Sequence, residues 1–335
     1  MTSRSGRVPT IYDVAREAGV SHQTVSRYLR GYEGIRPATR ERVQEALTRL
    51  EYRPNSAARL LRAGVVNRIG LVAFRMSAPG PARLVGGANA AARAGGYMLD
   101  IVSVDEEDAE SIDKAVSMLA EHQLAGVVLT AATEGLEDML LGHGLDVPHV
   151  SGARVKLQGD GMPLNEYAGR IAARHLIDLG HREIGYLSGP LSWVSARDRR
   201  AGFLTELQDH GLTVAAEAEG DWLAATGAAA WSTLTAQSER LTAVGAGNDS
   251  MAVGLISAIT ASGRSVPGDV SVIGTDDSPE AAYLNPPLST VAMAFESEGA
   301  HLVAALLAKI SGSRQRVPDV AAPELRPRSS TATPR

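Results

Sequence analysis

Residues 10–62 read TIYDVAREAGVSHQTVSRYLRGYEGIRPATRERVQEALTRLEYRPNSAARLLR. Ile11, Val14, Ala15 and Ala18 recur at helical spacing, and Gly19 ends that helix. Ser21 is placed to cap a second short helix over 21–29, with Val25 and Leu29 turned inward. The opposite face carries His22, Gln23, Ser26 and Arg27, with Arg30 just beyond. Two short helices joined through Ala18-Gly19-Val20 predict a helix-turn-helix.

The second helix has the size that enters the major groove of a DNA duplex, where Gln can pair bidentately with adenine and Arg with guanine. Charge favours this over a plain helical bundle with a polar surface. Residues 1–62 hold 12 Arg and no Lys against 6 acidic residues, a balance of +6, whereas the rest of the chain carries −11 within an overall −5. A basic head on an acidic body is the footprint of a nucleic-acid module attached to a body that avoids phosphate.

Residues 63–67 read as a linker, after which the period changes. Strands are expected over 68–74, 97–104, 125–130, 147–151, 183–187, 243–247 and 270–275. Helices are expected over 84–94, 110–122, 136–141, 166–179, 196–210, 224–234, 250–261 and 297–311, and segments at 288–295 and 322–325 complete the pattern. Short buried strands alternating with helices predict βαβ units and parallel sheets. The restart after residue 151 predicts two lobes with a cleft between them, where the carboxyl ends of strands gather ligand-contacting loops. The expected organisation is a head with hinge over 1–65, a two-lobed domain over 66–327 and a polar tail over 328–335. Within the two-lobed part, lobe 1 takes 66–163 and 296–327, and lobe 2 takes 164–295.

The run YDVAREAGVSHQTVSR, followed by Thr39-Arg40-Glu41-Arg42-Val43 and Tyr52-Arg53-Pro54-Asn55, resembles the DNA-binding head of the lac repressor and galactose repressor family of bacterial transcriptional regulators. The resemblance implies an all-α helix-turn-helix head with a hinge helix. His22, Gln23 and Arg27 then read bases of a near-palindromic double-stranded operator, with Thr24, Ser26 and Arg30 on the same DNA-binding surface. Residues 55–62, NSAARLLR, fall on the family's hinge helix, with Asn55 at its start, Ala58 at the close-packed minor-groove position and Leu61 at the apolar wedge. A wedge must be apolar because it unstacks a base step.

The body resembles the family's effector domain, an α/β two-lobed fold similar to periplasmic sugar-binding proteins. The resemblance rests on Gly189-Pro190-Leu191-Ser192-Trp193-Val194-Ser195-Ala196-Arg197, Glu219-Gly220-Asp221-Trp222, Asn248-Asp249 and Gly274-Thr275-Asp276-Asp277. The effector-contacting positions it implies are Arg197, Asn248 and Asp276, with Trp222 and Phe295 lining the cleft. Phe74 and Thr130 mark the first-lobe wall, where the chain departs from the family's pattern. The chemistry suits a sugar. Arg donates to vicinal hydroxyls, Asp accepts from them, Asn does both, and an indole covers the apolar C–H face of a pyranose. The implied protein is a repressor of carbohydrate-utilisation genes, released from its operator by a galactoside or another sugar. The alternative is a regulator with a non-sugar or corepressor-type effector. No cofactor beyond the effector is expected, and no leucine heptads follow residue 327, so the expected assembly is a homodimer.

Other classes fit less well. The chain has no cysteine, which excludes disulfides and thiolate chemistry. No apolar leader and no apolar run of about 18 residues is present, so the expectation is a cytoplasmic, nucleoid-associated protein without a membrane partner. A solute-binding protein without DNA function would need an export signal. An enzyme would need a nucleophile–base pair or a metal site. Ser188 and Ser192 lack the GxSxG context, and His175 and His181 are six apart and share no helical face. His181 after Gly180 reads as a helix-end residue, and Gly245-Ala246-Gly247 lacks the last glycine of a dinucleotide fingerprint. No enzymatic activity is expected.

Overall fold

Thr10 begins the head by a reciprocal cap. Its backbone N–H donates to Asp13 Oδ2 at 2.9 Å, and Asp13 N–H returns to Thr10 Oγ1 at 3.4 Å. Helix α1 spans Ile11–Glu17, and Gly19 turns the chain at φ +63°, a left-handed conformation that favours glycine. Helix α2, His22–Leu29, is capped by Ser21, whose Oγ accepts from the Thr24 N–H at 3.2 Å. A third helix, α3 at Pro37–Arg49, starts on a proline whose φ is already helical. Val14, Ala15, Ala18, Val25, Val43 and Ala46 form the core of this unit.

The structure, a computed structural model, describes residues 9–29, 32–52, 66–76, 78–104, 109–130, 142, 147–152, 155–159, 161–313 and 316–335. Arg30, Asn55, Ala58, Leu61 and the helix expected over 136–141 lie outside the described residues. The chain divides into two units, Met1–Val66 and Asn67–Arg335.

In the second unit, one parallel sheet has the order β2-β1-β3-β4, with β1 Arg68–Phe74, β2 Met98–Val104, β3 Gly126–Leu129 and β4 His149–Ser151. Helices α4, Pro79–Ala94, and α5, Ala109–Ala120, belong to this lobe. β1 is buried from Ile69 onward, as its continuous apolar run requires. The other lobe begins with α6 at Leu164–Asp178, β5 at Ile184–Ser188 and α7 at Val194–Asp209. It continues through β6 Ala216–Glu219, α8 Ala224–Gln237, β7 Ala243–Ala246, α9 Asp249–Ala261, β8 Ser271–Asp276 and β9 Ser289–Ala292. The chain then returns to the first lobe as α10, Phe295–Ser311, packed on α4, before β10 at Glu324–Arg326. The second sheet runs β10-β9-β8-β7-β5-β6, parallel except for β10.

Two expectations are corrected. Residues 324–326 were assigned to the first lobe, but β10 pairs antiparallel with β9 in the second-lobe sheet. Residues 328–335 were expected as a polar tail and instead are docked against that sheet. Ser330 is fully buried, its Oγ donating to Val272 O at 2.6 Å and accepting from Ser289 N–H at 2.8 Å. His181 is likewise more than a helix end. Nδ1 meets Thr242 Oγ1 at 3.0 Å and Nε2 meets Ala332 O at 2.9 Å, so the ring anchors the C-terminal segment.

Glycines set the helix spacing that carries the site. A Cβ on Gly202 of α7 would overlap the Glu166 carbonyl of α6, and one on Gly299 of α10 would overlap the Leu84 carbonyl of α4. Both helix pairs therefore approach backbone to backbone. That contact fixes the rotation of α7 and α10, and with it the faces they turn to the cleft.

Candidate functional site

On the head, His22, Gln23 and Arg27 are exposed along one side of α2, while Val25 is fully buried. The His22 ring lies 5.1 Å from that of Tyr12, and the Arg27 guanidinium stands 5.8 Å from the Tyr32 ring centroid. Thr24 and Ser26 are half-buried, and Thr24 Oγ1 is 2.9 Å from the capping Ser21 Oγ. Tyr28 donates to Gln44 Oε1 of α3, which braces the helix from behind. This arrangement leaves an imidazole, an amide and a guanidinium free to meet base edges from one rigid helix.

In the second unit, a cavity of about 120 Å³ opens between the two lobes at the carboxyl ends of their strands. Asp276 ends β8 and Asn248 caps α9 just after β7. The Asn248 side chain is used twice, accepting from Met251 N–H at 2.9 Å and donating to Trp222 O at 3.0 Å. It thereby holds Trp222 in place and keeps one amide N–H for the cavity. Trp222 sits at φ +73°, and Arg75, Asp276 and Asp277 also have positive φ, at 48°, 119° and 54°. For such side chains this conformation is strained, and it persists only where surrounding contacts over-determine it. Arg75, Trp222 and Asp276 line the cavity, with Asp277 next to it.

Arg197 does not line the cavity. Its guanidinium turns to Leu191 O and Ser192 O, both at 2.9 Å. Arg199 occupies the place expected for it. It is 5% exposed, donates to Gly247 O and to Asn165 Oδ1 at 2.7 Å, and approaches Asp276 Oδ1 at 3.5 Å. Its guanidinium carbon is 5.8 Å from the Trp222 ring centroid, and its Nε has no hydrogen-bond partner. The correction follows from helix geometry, because residues two apart on a helix point to nearly opposite sides.

Trp222, Asn248, Asp276, Phe295, Phe74 and Thr130 all line the cavity. Thr130 Oγ1 donates to Val72 O at 3.0 Å, so what it offers a ligand is its oxygen as an acceptor. Sequence reasoning passed over Trp193, although the segment carrying it was singled out. Its ring meets Phe74 edge-on at 6.2 Å and Trp222 at 6.0 Å with a 71° interplanar angle, while Arg75 stacks over it. The indole N–H groups of Trp193 and Trp222 are both buried without a partner. Glu298 was missed as well. It projects from the first turns of α10, is buried, and lines the cavity.

The lobes are tied across the cleft. Arg75 donates to Asp221 O at 2.8 Å, and Arg83 donates to Asp276 O at 3.1 Å while pairing with Glu296. Burial pushes the Asp276 carboxyl up to about 7 against the attraction of Arg199, and Glu298 up to about 7 for the same reason. Asp249, beneath the cavity, is pushed up to about 6 by burial despite bonds from Thr290 and Ser278. Among the described residues, no group of three or more His, Cys, Asp or Glu could hold a metal, and no helix is long and apolar enough to cross a membrane.

A helix-turn-helix head joined to a two-lobed domain with an interlobe cavity defines a DNA-binding regulator. Residues 10–55 match the family described as bacterial regulatory proteins, lacI family, and residues 173–331 match the periplasmic binding protein-like domain. The chain is 33% identical to the lactose operon repressor of Escherichia coli (strain K12), an alignment covering 89% of this chain and 84% of that one. It is 34% identical to the HTH-type transcriptional repressor PurR of Edwardsiella ictaluri (strain 93-146), covering 91% and 92%. Among solved structures it is similar to the lac repressor dimer bound to operator and the anti-inducer ONPF, with TM-score 0.86, 30% identity and 97% and 100% coverage. It is also similar to the transcriptional regulator CelR–cellobiose complex, with TM-score 0.70, 29% identity and 96% and 99% coverage. The chain belongs to the lacI family and is a DNA-binding transcriptional regulator.

Proposed function

We propose that the protein is a sugar-responsive repressor that acts as a homodimer on a near-palindromic operator. The observation that carries the effector reading is the cavity wall formed by Arg199, Asp276, Asn248 and Trp222. A guanidinium beside a carboxylate, with an amide and an indole N–H still open, matches the alternating donors and acceptors of vicinal hydroxyls. The ring of Trp222 offers an apolar face to a pyranose. Trp193 and Trp222 are inclined at 71° and form no parallel-walled slot for a flat base. The solved CelR complex with cellobiose supports the sugar class. The lac repressor dimer on its operator supports the homodimer.

Bases are read by His22, Gln23 and Arg27, with Thr24, Ser26 and Arg30 alongside. The segment holding Asn55, Ala58 and Leu61 inserts into the minor groove. Effector binding alters operator affinity only through different affinities for two arrangements of the domain, a coupling on the order of 1–3 kcal/mol. The test is a calorimetric screen of the purified protein against neutral sugars and purine bases, followed by gel shifts on its own promoter region with each hit. Sugar binding that changes the DNA shift supports the proposal. Binding of a purine base alone overturns the sugar reading, and absence of any DNA shift overturns the regulatory one.

A further inference from the structure

Two glutamates two residues apart on α10 lead opposite lives. Glu296 is exposed, pairs with Arg83 at 2.8 Å, and its carboxyl is held below the usual range by that bond. Glu298 is 8% exposed, lines the interlobe cavity, and has no hydrogen-bond or ion-pair partner among the described residues. Gly299 next to it brings α10 backbone to backbone with α4, which fixes the face of the helix that carries Glu298.

The cations nearby are already engaged. Arg199 gives its terminal nitrogens to Gly247 O, Asn165 and Asp276, and Arg75 is spent on Asp221 O and the Trp193 ring. A buried carboxyl without a partner is costly, and the cost is relieved by a ligand that donates to it. Above about pH 7, where Asp276 and Glu298 are ionised, the two arginines and two acids of the lining, Arg75, Arg199, Asp276 and Glu298, balance in formal charge before a ligand enters. There an anionic ligand would face two carboxylates, with Arg199 committed to Asp276 and, among the described lining residues, Arg75 alone left to receive it.

Resting on the sugar reading, we propose that Glu298 is the first lobe's specificity-determining residue: it accepts hydroxyl hydrogen bonds from a neutral sugar and bars phosphorylated or uronic sugars from the same cavity. Glu298 stands on the first-lobe helix α10 and the Arg199–Asp276 pair on the second lobe, so the sugar is held by polar groups of both lobes.

The test uses the full chain and titration calorimetry at pH 8, where both cavity acids are ionised, with glucose, galactose, lactose and cellobiose, and with glucose 6-phosphate and glucuronate as anionic counterparts. Wild type is expected to bind at least one neutral sugar and to bind either anion at least tenfold more weakly. Glu298→Leu is expected to weaken the neutral sugar tenfold or more. Glu298→Gln, which keeps a carbonyl acceptor, should lose less and narrow the gap to the anion. Melting curves of both variants check that they fold. Unchanged neutral-sugar affinity in Glu298→Leu, or a wild type that prefers an anion, overturns the role of Glu298 and leaves the sugar reading standing. Failure of all four neutral sugars to bind overturns the sugar reading and this assignment with it.

Discussion

The two walls of the cavity are built on different principles. The second-lobe wall is polar and densely tied: Arg199, Asn248 and Asp276 are engaged with backbone and side chains around them and offer only residual donors and acceptors. The first-lobe wall is mostly apolar, with Phe74, Ala78, Pro81, Leu84 and Phe295, and its polar side chains are Arg75, Thr130 and one buried carboxyl, Glu298. On the proposed sugar reading, the polar wall grips any ligand with vicinal hydroxyls and the sparser wall discriminates among them. Preorganised groups bind with little reordering cost, while one unpartnered group exacts a penalty from every ligand that fails to satisfy it.

The sharpest way to break this comparison is Arg199→Ala. It should weaken effector binding at least a hundredfold, about 3 kcal/mol by calorimetry, by leaving the grip on the hydroxyls half-made. Arg197→Ala should leave the affinity within about twofold. Equal losses in the two variants would return the site to Arg197. Next in size, Gly202→Ala forces α7 away from Glu166, and should cost about 2 kcal/mol of stability in denaturant titration while weakening effector binding through displaced Arg199. A normal affinity would show that α7 need not sit so close.

Leu61→Ala tests the other unit. Removing an apolar wedge should weaken operator binding about tenfold in gel shifts and leave effector affinity unchanged. The smallest effect is in pH. Asp276 and Glu298 hold protons up to about 7 in the folded chain, which the unfolded chain has already released near pH 4. The stability they contribute is present below that pH and lost as pH rises through 7. The buried His175 and His181, whose burial lowers their values, contribute in the opposite direction and only below about 6.5. From pH 6.5 to 8 the carboxyls therefore dominate, and melting temperature should fall on the order of 2 °C, less so in Glu298→Gln. A flat profile in wild type would mean that these acids are ionised throughout.

Much of this arrangement was legible in the residues. The spacing from Ile11 to Ala18, the Gly19 break and the Ser21 cap fix the head, and the apolar run at 69–74 marks a buried strand. The misses have physical causes. Three arginines fall within four residues on α7, at 197, 199 and 200, and only the packing of α6 against α7 decides which one faces the cleft. Arg200 is taken by Glu217, at 2.6 Å. Strand β6, with alternating Ala and Glu, is an edge strand and lacks the apolar run that exposes its neighbours to sequence reading. Glu298 looks like any acid in the first turns of a helix, and only tertiary packing buries it at the cavity. The segment at 328–335 reads as solvated because its hydroxyls are polar, yet the Ser330 and Thr331 hydroxyls bond the sheet and His175, and the Ala332 carbonyl meets His181.

Arg83 gives the cavity a further property. One guanidinium holds Glu296, on the helix that bears Glu298, and the backbone of Asp276, on the opposite lobe. The two cavity carboxyls therefore ride on parts that one side chain rivets together, like the jaws of a caliper held at one setting. On the proposed reading a ligand is gauged for length as well as for polarity, and a change at Arg83 would reset the gauge without touching either jaw.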